Sequence, residues 1–248
     1  MKRWLSAGLL VLVCLPGCGG SDQPTLKVSA AASLKPAFES YADEFKQAKV
    51  SYSFAGSDEL AAQIRQGVKP DVFAAANTKL PDQLFAKGLV EKPVPFAGNR
   101  LVIAIPNSSD KVKGIADLAK PGIRIAAGAP TVPIGSYTRE VLSRLGSGES
   151  AAIEKNIRSN EPDVGGVVGK VTEGAVDAGF VYATDVEASK GKLVGLELPT
   201  RLQPRVVYGV ATVKGAPHPS EAKAFVDGLL TGAGRNALLD AGFEPPPK

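Results

Sequence analysis

Short apolar segments alternate with amphipathic segments along almost the whole chain from Leu26 onward. Runs of about four to eight Val-, Ile- and Ala-rich residues indicate strands, and apolar residues three or four positions apart indicate helices. We predict strands at 26–30, 50–54, 72–75, 101–105, 123–127, 179–182 and 206–213. We predict helices at 34–47, 59–66, 80–87, 137–145, 167–173 and 221–230. The alternation predicts an α/β fold with mostly parallel sheets and flanking helices.

Two connections that contain proline lead into strongly apolar strands. One lies at 93–100, and the other, at 198–205, contains Pro199 and Pro204. One outgoing and one returning connection would divide the folded chain into two lobes. We therefore predict that lobe 1 comprises residues 26–98 plus 206–248, and that lobe 2 comprises residues 99–205.

The N-terminal segment has the pattern of an export signal. Lys2 and Arg3 precede the apolar run at 9–15, which is too short to span a bilayer core of about 30 Å. The sequence Leu-Pro-Gly-Cys at 15–18 resembles a bacterial lipobox, whose Cys is lipidated and becomes the first mature residue. We predict a signal peptide at 1–17 and lipidated Cys18 with a tether at 18–25; the alternative is an ordinary signal peptide with an incidental Cys18. The lipid would hold the protein on the outer side of the cytoplasmic membrane.

Charge and composition argue against several functions. The chain carries 29 Lys and Arg against 25 Asp and Glu, and removal of residues 1–17 takes away Lys2 and Arg3 and leaves a net charge of +2. Scattered charges of this kind lack the basic stripe of a nucleic-acid-binding protein, so we expect no nucleic-acid partner. The single histidine, His218, and two cysteines cannot form a usual zinc site. No nucleophile elbow, Walker A loop or acid–base pair is present, so we expect no enzymatic activity and no cofactor.

Two serines follow predicted strands at the beginning of predicted helices. Ser33 follows Ala30-Ala31-Ala32, and Ser57 follows Ala55-Gly56. In open α/β sheets the carboxyl ends of strands are where ligands bind, and a helix N-terminus offers unpaired N–H groups and a partial positive charge. Small preceding residues let the backbone approach a ligand closely. One such serine would be a simple helix cap, but two in neighbouring units predict a shared pocket for a small anion.

The second half of the chain repeats this arrangement. Residues 126–137 run from a strand through a Pro- and Gly-rich turn into a helix, and residues 160–165 precede another helix. Tyr182 ends a predicted strand, so its hydroxyl can point into a cleft; the alternative, which is the commoner role of a tyrosine at such a position, is packing in the core.

These residues resemble the substrate-binding proteins of molybdate ABC transporters. The resemblance extends from Leu26 to Phe243 and is most specific at 30–34, 54–60, 70–73, 132–135, 181–182 and 241–243. It implies a type II periplasmic-binding-protein fold with a ligand cleft between two lobes, in which neutral donors hold molybdate or tungstate. It also implies a permease and ATPase as partners, and we expect a monomer. The ligand-binding residues that it implies are Ser33, Ser57, Ile134, Val164 and Tyr182.

The chain departs from the family pattern at two positions. Asp58 stands where a small polar residue is common, and Gly165 stands where many relatives have a basic residue. An inward carboxylate would repel an oxyanion, so we expect Asp58 to point outward, where it favours the helix N-terminus. Gly165 leaves donation by the Val164 backbone intact but makes the helix beginning looser.

A binding protein of the same fold for another anion is the alternative function. Sulfate, phosphate, an organic anion or an amino acid are the candidate ligands. Sites for carboxylates usually use an Arg as a bidentate clamp, and Arg124 and Arg139 are the candidates, although one lies in a predicted strand and the other on a helix face.

Overall fold

A computed structural model describes residues 23–247. The strands are β1 (Thr25–Ala31), β2 (Lys49–Ala55), β3 (Val72–Ala75), β4 (Val94–Asn99), β5 (Leu101–Pro106), β6 (Ile125–Gly128), β7 (Ile157–Glu161), β8 (Ala178–Tyr182), β9 (Leu193–Glu197) and β10 (Val206–Thr212). The helices are α1 (Lys35–Glu44), α2 (Ser57–Arg65), α3 (Lys79–Ala86), α4 (Pro133–Ser143), α5 (Ser147–Asn156), α6 (Val164–Thr172), α7 (Ala183–Ala188), α8 (Pro219–Thr231) and α9 (Ala233–Asp240).

The strands form two five-stranded sheets with the same pattern. The first sheet has the order β2-β1-β3-β10-β4, and the second has the order β7-β6-β8-β5-β9. The fourth strand of each sheet arrives from the other sheet, since the chain passes from β4 to β5 through Arg100 and returns to β10 after residues 198–205. The two-lobed α/β architecture of the prediction is therefore the observed one.

Four strands of each sheet run in one direction, as the prediction of mostly parallel sheets expected, and one reversed strand makes both sheets mixed. β1 pairs in parallel with β2 and β3, and β6 with β7 and β8. The two arriving strands run antiparallel to both neighbours, β10 against β3 and β4, and β5 against β8 and β9. Parallel neighbours need a long crossover connection, usually a helix. β5 comes directly from β4 of the other sheet, and only Arg100 lies between the two strands.

Buried apolar faces hold the helices on the sheets. In α1, Ala37, Phe38 and Tyr41 recur at helical spacing and are at most 3% exposed. Phe38 and Tyr41 pack their rings against Phe225 of α8, with centroids 5.7 and 4.7 Å apart. This contact ties the first helix of lobe 1 to the segment that follows the returning connection.

The predicted signal segment and lipidation site, residues 1–18, lie outside the described residues. Within residues 23–247, no helix combines the length and apolar character that a bilayer crossing requires.

Candidate functional site

A small cavity lies between the two lobes, at the carboxyl ends of several strands. The volume of the cavity that the centre of a water molecule can occupy is about 20 Å³. The lining residues are Ala31, Ala32, Ser33, Ala55, Gly56, Ser57, Ala76, Val132, Pro133, Ile134, Asp163, Val164 and Tyr182. The lining includes all five ligand-binding residues expected from the sequence, and the exposed fraction of each lies between 1% and 4%: Ser33, Ser57, Ile134, Val164 and Tyr182. The fold therefore brings these five positions, which span 150 residues of sequence, to one enclosed space.

Helix N-termini from both lobes meet at this cavity. In lobe 1, α2 begins at Ser57, and a 3-10 turn (Ala32–Leu34) that contains Ser33 leads into α1. In lobe 2, α4 begins at Pro133 and α6 begins at Val164. First-turn N–H groups have no carbonyl partner within their own helix, and the helix dipole gives that end a partial positive charge. The cavity is thus surrounded by backbone donors that favour an anion.

Each of the two serine hydroxyls at the cavity forms a hydrogen bond with another group of the protein. Ser57 Oγ accepts a hydrogen bond from the N–H of Ala76 at 3.1 Å, so the hydroxyl hydrogen of Ser57 is left to donate to the cavity. Ser33 Oγ lies 2.9 Å from the hydroxyl oxygen of Tyr208. Ser57 is therefore positioned as a hydrogen-bond donor toward an occupant of the cavity, and Ser33 can donate there when the Tyr208 hydroxyl donates to it.

The hydroxyl of Tyr182 is buried without a partner. Within residues 23–247, its oxygen has no hydrogen-bond partner in the protein. Burial raises the pKa of Tyr182 well above its ordinary value, so the hydroxyl keeps its proton. A buried polar group without a partner is costly, and in native proteins it usually has a ligand or water to satisfy it. The Tyr182 hydroxyl can therefore donate its hydrogen to an anion in the cavity, and the anion would supply the missing hydrogen-bond partner.

Among residues 23–247, no lysine or arginine lines the cavity. The single carboxylate in the lining, Asp163, caps α6 by accepting from the N–H of Gly166 at 3.0 Å. Arg124 forms an ion pair with Asp177, with 3.0 Å between Nε and Oδ2. Arg139 donates to Asn160 instead. Neither arginine is a clamp for a carboxylate ligand in the cavity.

The two departures from the family pattern lie beside the cavity rather than in it. Asp58 lines a neighbouring groove that also contains Arg65 and Lys79, and its buried Oδ1 has no hydrogen-bond partner among residues 23–247. Gly165 is the second residue of α6, and the Asp163 cap fixes the beginning of that helix. The helix therefore begins at Val164 despite two consecutive glycines.

The lobes touch at Gly56, directly beside the cavity. A methyl group added at Gly56 would lie 2.4 Å from the carbonyl oxygen of Pro162, which belongs to the turn before α6. Such a distance is far below ordinary contact, so only glycine allows the two backbones to approach this closely. The backbones of the two lobes are therefore in direct contact beside the cavity.

Asp71 and His218 have a structural role away from the cavity. The fully buried Asp71 carboxylate accepts from the N–H groups of Lys27, at 2.7 Å, and His218, at 2.9 Å. His218 also brings its ring Nδ1 within 3.4 Å of this carboxylate, so the histidine is partly buried rather than exposed. Within residues 23–247, no group of three or more His, Cys, Asp and Glu side chains could hold a metal ion.

Sequence reasoning did not identify Tyr208. Its partner Ser33 lies 175 positions away, and a tyrosine in the middle of an apolar strand gives no local sign of a polar contact. A buried tyrosine does require a hydrogen-bond partner, but only the fold shows which one.

The chain is similar to known binding proteins along nearly its whole length. The family of bacterial extracellular solute-binding proteins matches residues 26–244. The molybdate-binding protein ModA of Mycobacterium tuberculosis is 35% identical over 266 residues, which cover 98% of this chain and all of the relative. ModA of Escherichia coli is 33% identical, with 92% of this chain and 93% of the relative covered.

A solved structure has the same fold. The periplasmic molybdate-binding protein of Azotobacter vinelandii superimposes with a TM-score of 0.80 at 24% identity, covering 90% of this chain and all of the other. At that identity the likeness establishes the fold alone. The family match and the two relatives establish kinship, and the family consists of solute-binding proteins, which are not a class of enzyme. The chain therefore belongs to the bacterial extracellular solute-binding proteins and, within them, to the relatives of the molybdate-binding proteins.

Proposed function

We propose that this protein binds molybdate or tungstate outside the cytoplasmic membrane and delivers it to the permease and ATPase of an ABC transporter. One observation carries the proposal: uncharged donors from both lobes surround a small cavity, and no lysine or arginine of the described chain lines it. The names of the relatives, which are molybdate-binding proteins, agree with this assignment. The protein would act by binding and release, without catalysis or a cofactor.

Uncharged donors can hold a dianion tightly. A hydrogen bond to a charged group contributes about 1.5–3 kcal/mol net. Ser33 and Ser57 can each donate a hydroxyl and a backbone N–H, Ile134 and Val164 a backbone N–H each, and Tyr182 a hydroxyl. Seven such bonds, summed without costs, contribute about 10–21 kcal/mol, a range that contains the roughly 12 kcal/mol of a nanomolar complex. In the upper part of that range, the excess offsets the entropy lost when two lobes close on a ligand.

The same set of donors provides selectivity. The named donors offer hydrogens, and the one carboxylate in the described lining, Asp163, already accepts from the N–H of Gly166, so the cavity disfavours an anion that keeps a proton at neutral pH, such as hydrogen phosphate. Sulfate has no proton at neutral pH, so only the size of the closed cavity can distinguish it from molybdate. Molybdate and tungstate are nearly equal in size and charge, and we propose both as ligands.

A panel of anions tests this function. We expect molybdate and tungstate to raise the melting temperature of the protein and to give one binding site per chain in calorimetry. Sulfate, phosphate and amino acids should give no shift at the same concentration. A shift with sulfate or phosphate but none with molybdate would assign the cavity to the alternative anion.

We also propose that Cys18 carries the lipid anchor. The proposal rests on the lipobox-like sequence at 15–18 and on the Gly- and Ser-containing tether that follows. Two or more acyl chains hold a soluble domain on a membrane surface. Cys18→Ala should lose palmitate labelling in cells and leave the membrane fraction, whereas Cys14→Ala, inside the predicted signal, should keep both. Unchanged labelling of Cys18→Ala would contradict the anchor.

A further inference from the structure

A large groove lies directly outside the cavity. About 770 Å³ of this groove is open to the centre of a water molecule. Three chain segments form the wall between the two spaces, because in each segment one residue lines the cavity and its neighbour in sequence lines the groove. The three pairs are Ser57 and Asp58, Ala76 and Asn77, and Val132 and Thr131. Since both lobes contribute to the groove, it is an entrance to the cavity when the lobes separate.

This groove carries an excess of positive charge. Arg65, Lys79 and Lys87 line it, and all three are exposed. Within residues 23–247, none of the three forms an ion pair. Asp58 is the one carboxylate in the described lining, so three cations against one anion leave a net charge of +2. We call this space the basic groove.

A second groove borders the cavity at Ser33 and has the opposite charge. Its lining also comes from both lobes and includes Asp185, Glu187 and Asp240, without a lysine or arginine of the described chain. Burial raises the pKa of Asp185 to about 7, so its charge varies near neutral pH, but Glu187 and Asp240 add two further carboxylates. An anion that approaches the space between the lobes is therefore attracted on one side and repelled on the other.

The cavity itself attracts an anion only at short range. Its donors are hydroxyls and helix N-termini, and the effect of a helix end falls off within one turn. Full charges act over about 8 Å at physiological ionic strength. A cleft lined by charges of one sign raises the association rate of an oppositely charged ligand by about 10- to 1000-fold. Fast capture of an anion therefore requires charged groups outside the cavity.

We propose that the basic groove is the entrance by which the oxyanion reaches the cavity, and that Arg65, Lys79 and Lys87 hold the hydrated dianion there before the lobes close. The inference rests on the proposed function and deepens it. None of the three cations lines the cavity. They therefore determine the association rate, whereas the uncharged donors determine the dissociation rate.

The kinetics of radioactively labelled molybdate test this role. The variant combines Arg65→Gln, Lys79→Gln and Lys87→Gln. Equilibrium dialysis gives the Kd, a chase with unlabelled molybdate gives the dissociation rate constant, and their ratio gives the association rate constant. At an ionic strength of about 0.01 M, where charges act over about 30 Å, the association rate constant should fall about tenfold. The dissociation rate constant should stay within about twofold of wild type, because the cavity is unchanged.

A matched control removes the same charge from the other end of the same sheet. It combines Lys27→Gln, Lys49→Gln and Lys69→Gln, three exposed lysines in or before the first halves of β1, β2 and β3. This variant should associate with molybdate within about twofold of the wild-type rate. At about 1 M salt, where charges act over about 3 Å, the groove variant should also approach the wild-type rate.

Three results would overturn the inference. The first is an equal association rate constant in the two triple variants at low salt. The second is slow association of the groove variant that persists at about 1 M salt. The third is a wild-type association rate together with reduced molybdate uptake by cells, which would assign the groove to an acidic surface of the transporter. Failure of the proposed function gives a different result, since the wild-type protein would then bind no labelled molybdate.

Discussion

Ser57 shows how one side chain links the fold to the ligand. Its oxygen receives the N–H of Ala76 just beyond β3, and its hydrogen is left for the cavity. The sequence could predict Ser57 and Ser33, because a serine after small residues at a strand-to-helix turn has local sequence context. The sequence could not predict which groups hydrogen-bond to these two serine hydroxyls, since those groups lie on or next to other strands.

Replacement of Ser57 by alanine should weaken molybdate binding at least tenfold. The change removes a hydroxyl donor to the anion, which contributes about 1.5–3 kcal/mol. Calorimetry would measure the affinity, and Ser53→Ala, at an exposed position on β2, is the control. Wild-type affinity in Ser57→Ala would remove this residue from the site.

Tyr182→Phe should separate affinity from stability. Its hydroxyl has no protein partner within the described chain, so the unliganded variant should unfold within about 0.5 kcal/mol of wild type while molybdate binding falls about tenfold or more. Tyr52→Phe should do the reverse, since its hydroxyl donates to the carbonyl of Phe38 at 2.6 Å, remote from the cavity. Urea unfolding and calorimetry on both variants check this, and an unchanged affinity in Tyr182→Phe would refute it.

Asp185 should make stability depend on pH. The pKa of Asp185 is raised to about 7, chiefly because burial removes the carboxyl from water. The hydrogen bond from the N–H of Tyr182 lowers this pKa, and the nearby charge of Asp163 raises it. A carboxyl with a raised pKa in the folded protein contributes stability that is complete below the unfolded value of 3.8 and is lost as pH rises through about 7. As the pH rises from about 4 to about 7, the free energy of unfolding should therefore fall less in Asp185→Asn than in wild type.

Urea unfolding at several pH values would measure this slope. Asp110→Asn, in an exposed loop, should keep the wild-type slope. An equal slope in Asp185→Asn and wild type would show that Asp185 does not hold a proton in the folded protein.

The helices and strands around the cavity were easier to predict than those at the edges. β3 was predicted with its observed bounds, because a run of four buried apolar residues is bounded by turns. β4 was predicted as a connection, since Pro93 and Pro95 disfavour a strand, but it lies at the edge of its sheet, where proline is tolerated. Five further elements were not predicted: α5, β7, α7, β9 and α9. Several of these are polar or short, and tertiary contacts rather than local pattern define them.

Gly56 precedes α2 and meets the turn before α6. Gly56→Ala should reduce molybdate affinity at least tenfold, because the new methyl group would meet the Pro162 carbonyl and hold the lobes apart. The backbone at Gly56, with φ −59°, accepts alanine without strain. The added methyl group would also lie 2.9 Å from Oδ1 of Asp58, but that side chain can rotate away, whereas the Pro162 carbonyl belongs to the backbone, so the effect acts through closure. Small-angle scattering should show that molybdate fails to compact this variant.

Gly146→Ala is a closely matched control. Gly146 also precedes a helix, α5, with φ −60°, and open space surrounds the added methyl group. It should bind and close like wild type. Equal affinities in the two variants would show that the contact at Gly56 does not limit closure.

The order of strands makes the two lobes unequal in autonomy. All strands of the second sheet lie within residues 101–197, whereas β10 of the first sheet comes from beyond the returning connection and lies between β3 and β4. A fragment of residues 23–99 should therefore show no cooperative unfolding, since β3 and β4 would lack the strand that joins them. A fragment of residues 100–205 keeps a complete sheet and should unfold cooperatively. Thermal unfolding followed by circular dichroism would compare the two fragments. Cooperative unfolding of the fragment of residues 23–99 would contradict the expectation.

The sequence could predict the two-lobed organisation from its two proline-containing connections, but not the direction of the arriving strands. Their orientation depends on how one lobe is placed against the other, which no local pattern records.

The aromatic contacts across the cleft have an optical consequence. Tyr137 and Tyr182 of lobe 2 and Tyr208 of lobe 1 form a row, with neighbouring ring centroids 6.5 and 5.8 Å apart. The single tryptophan, Trp4, lies within the predicted signal peptide, so the mature protein would have only its five tyrosines as intrinsic fluorophores. Three of those five belong to this row. Separation of the lobes would move Tyr208 away from Tyr182, so ultraviolet emission would follow capture and release of the anion without any attached dye.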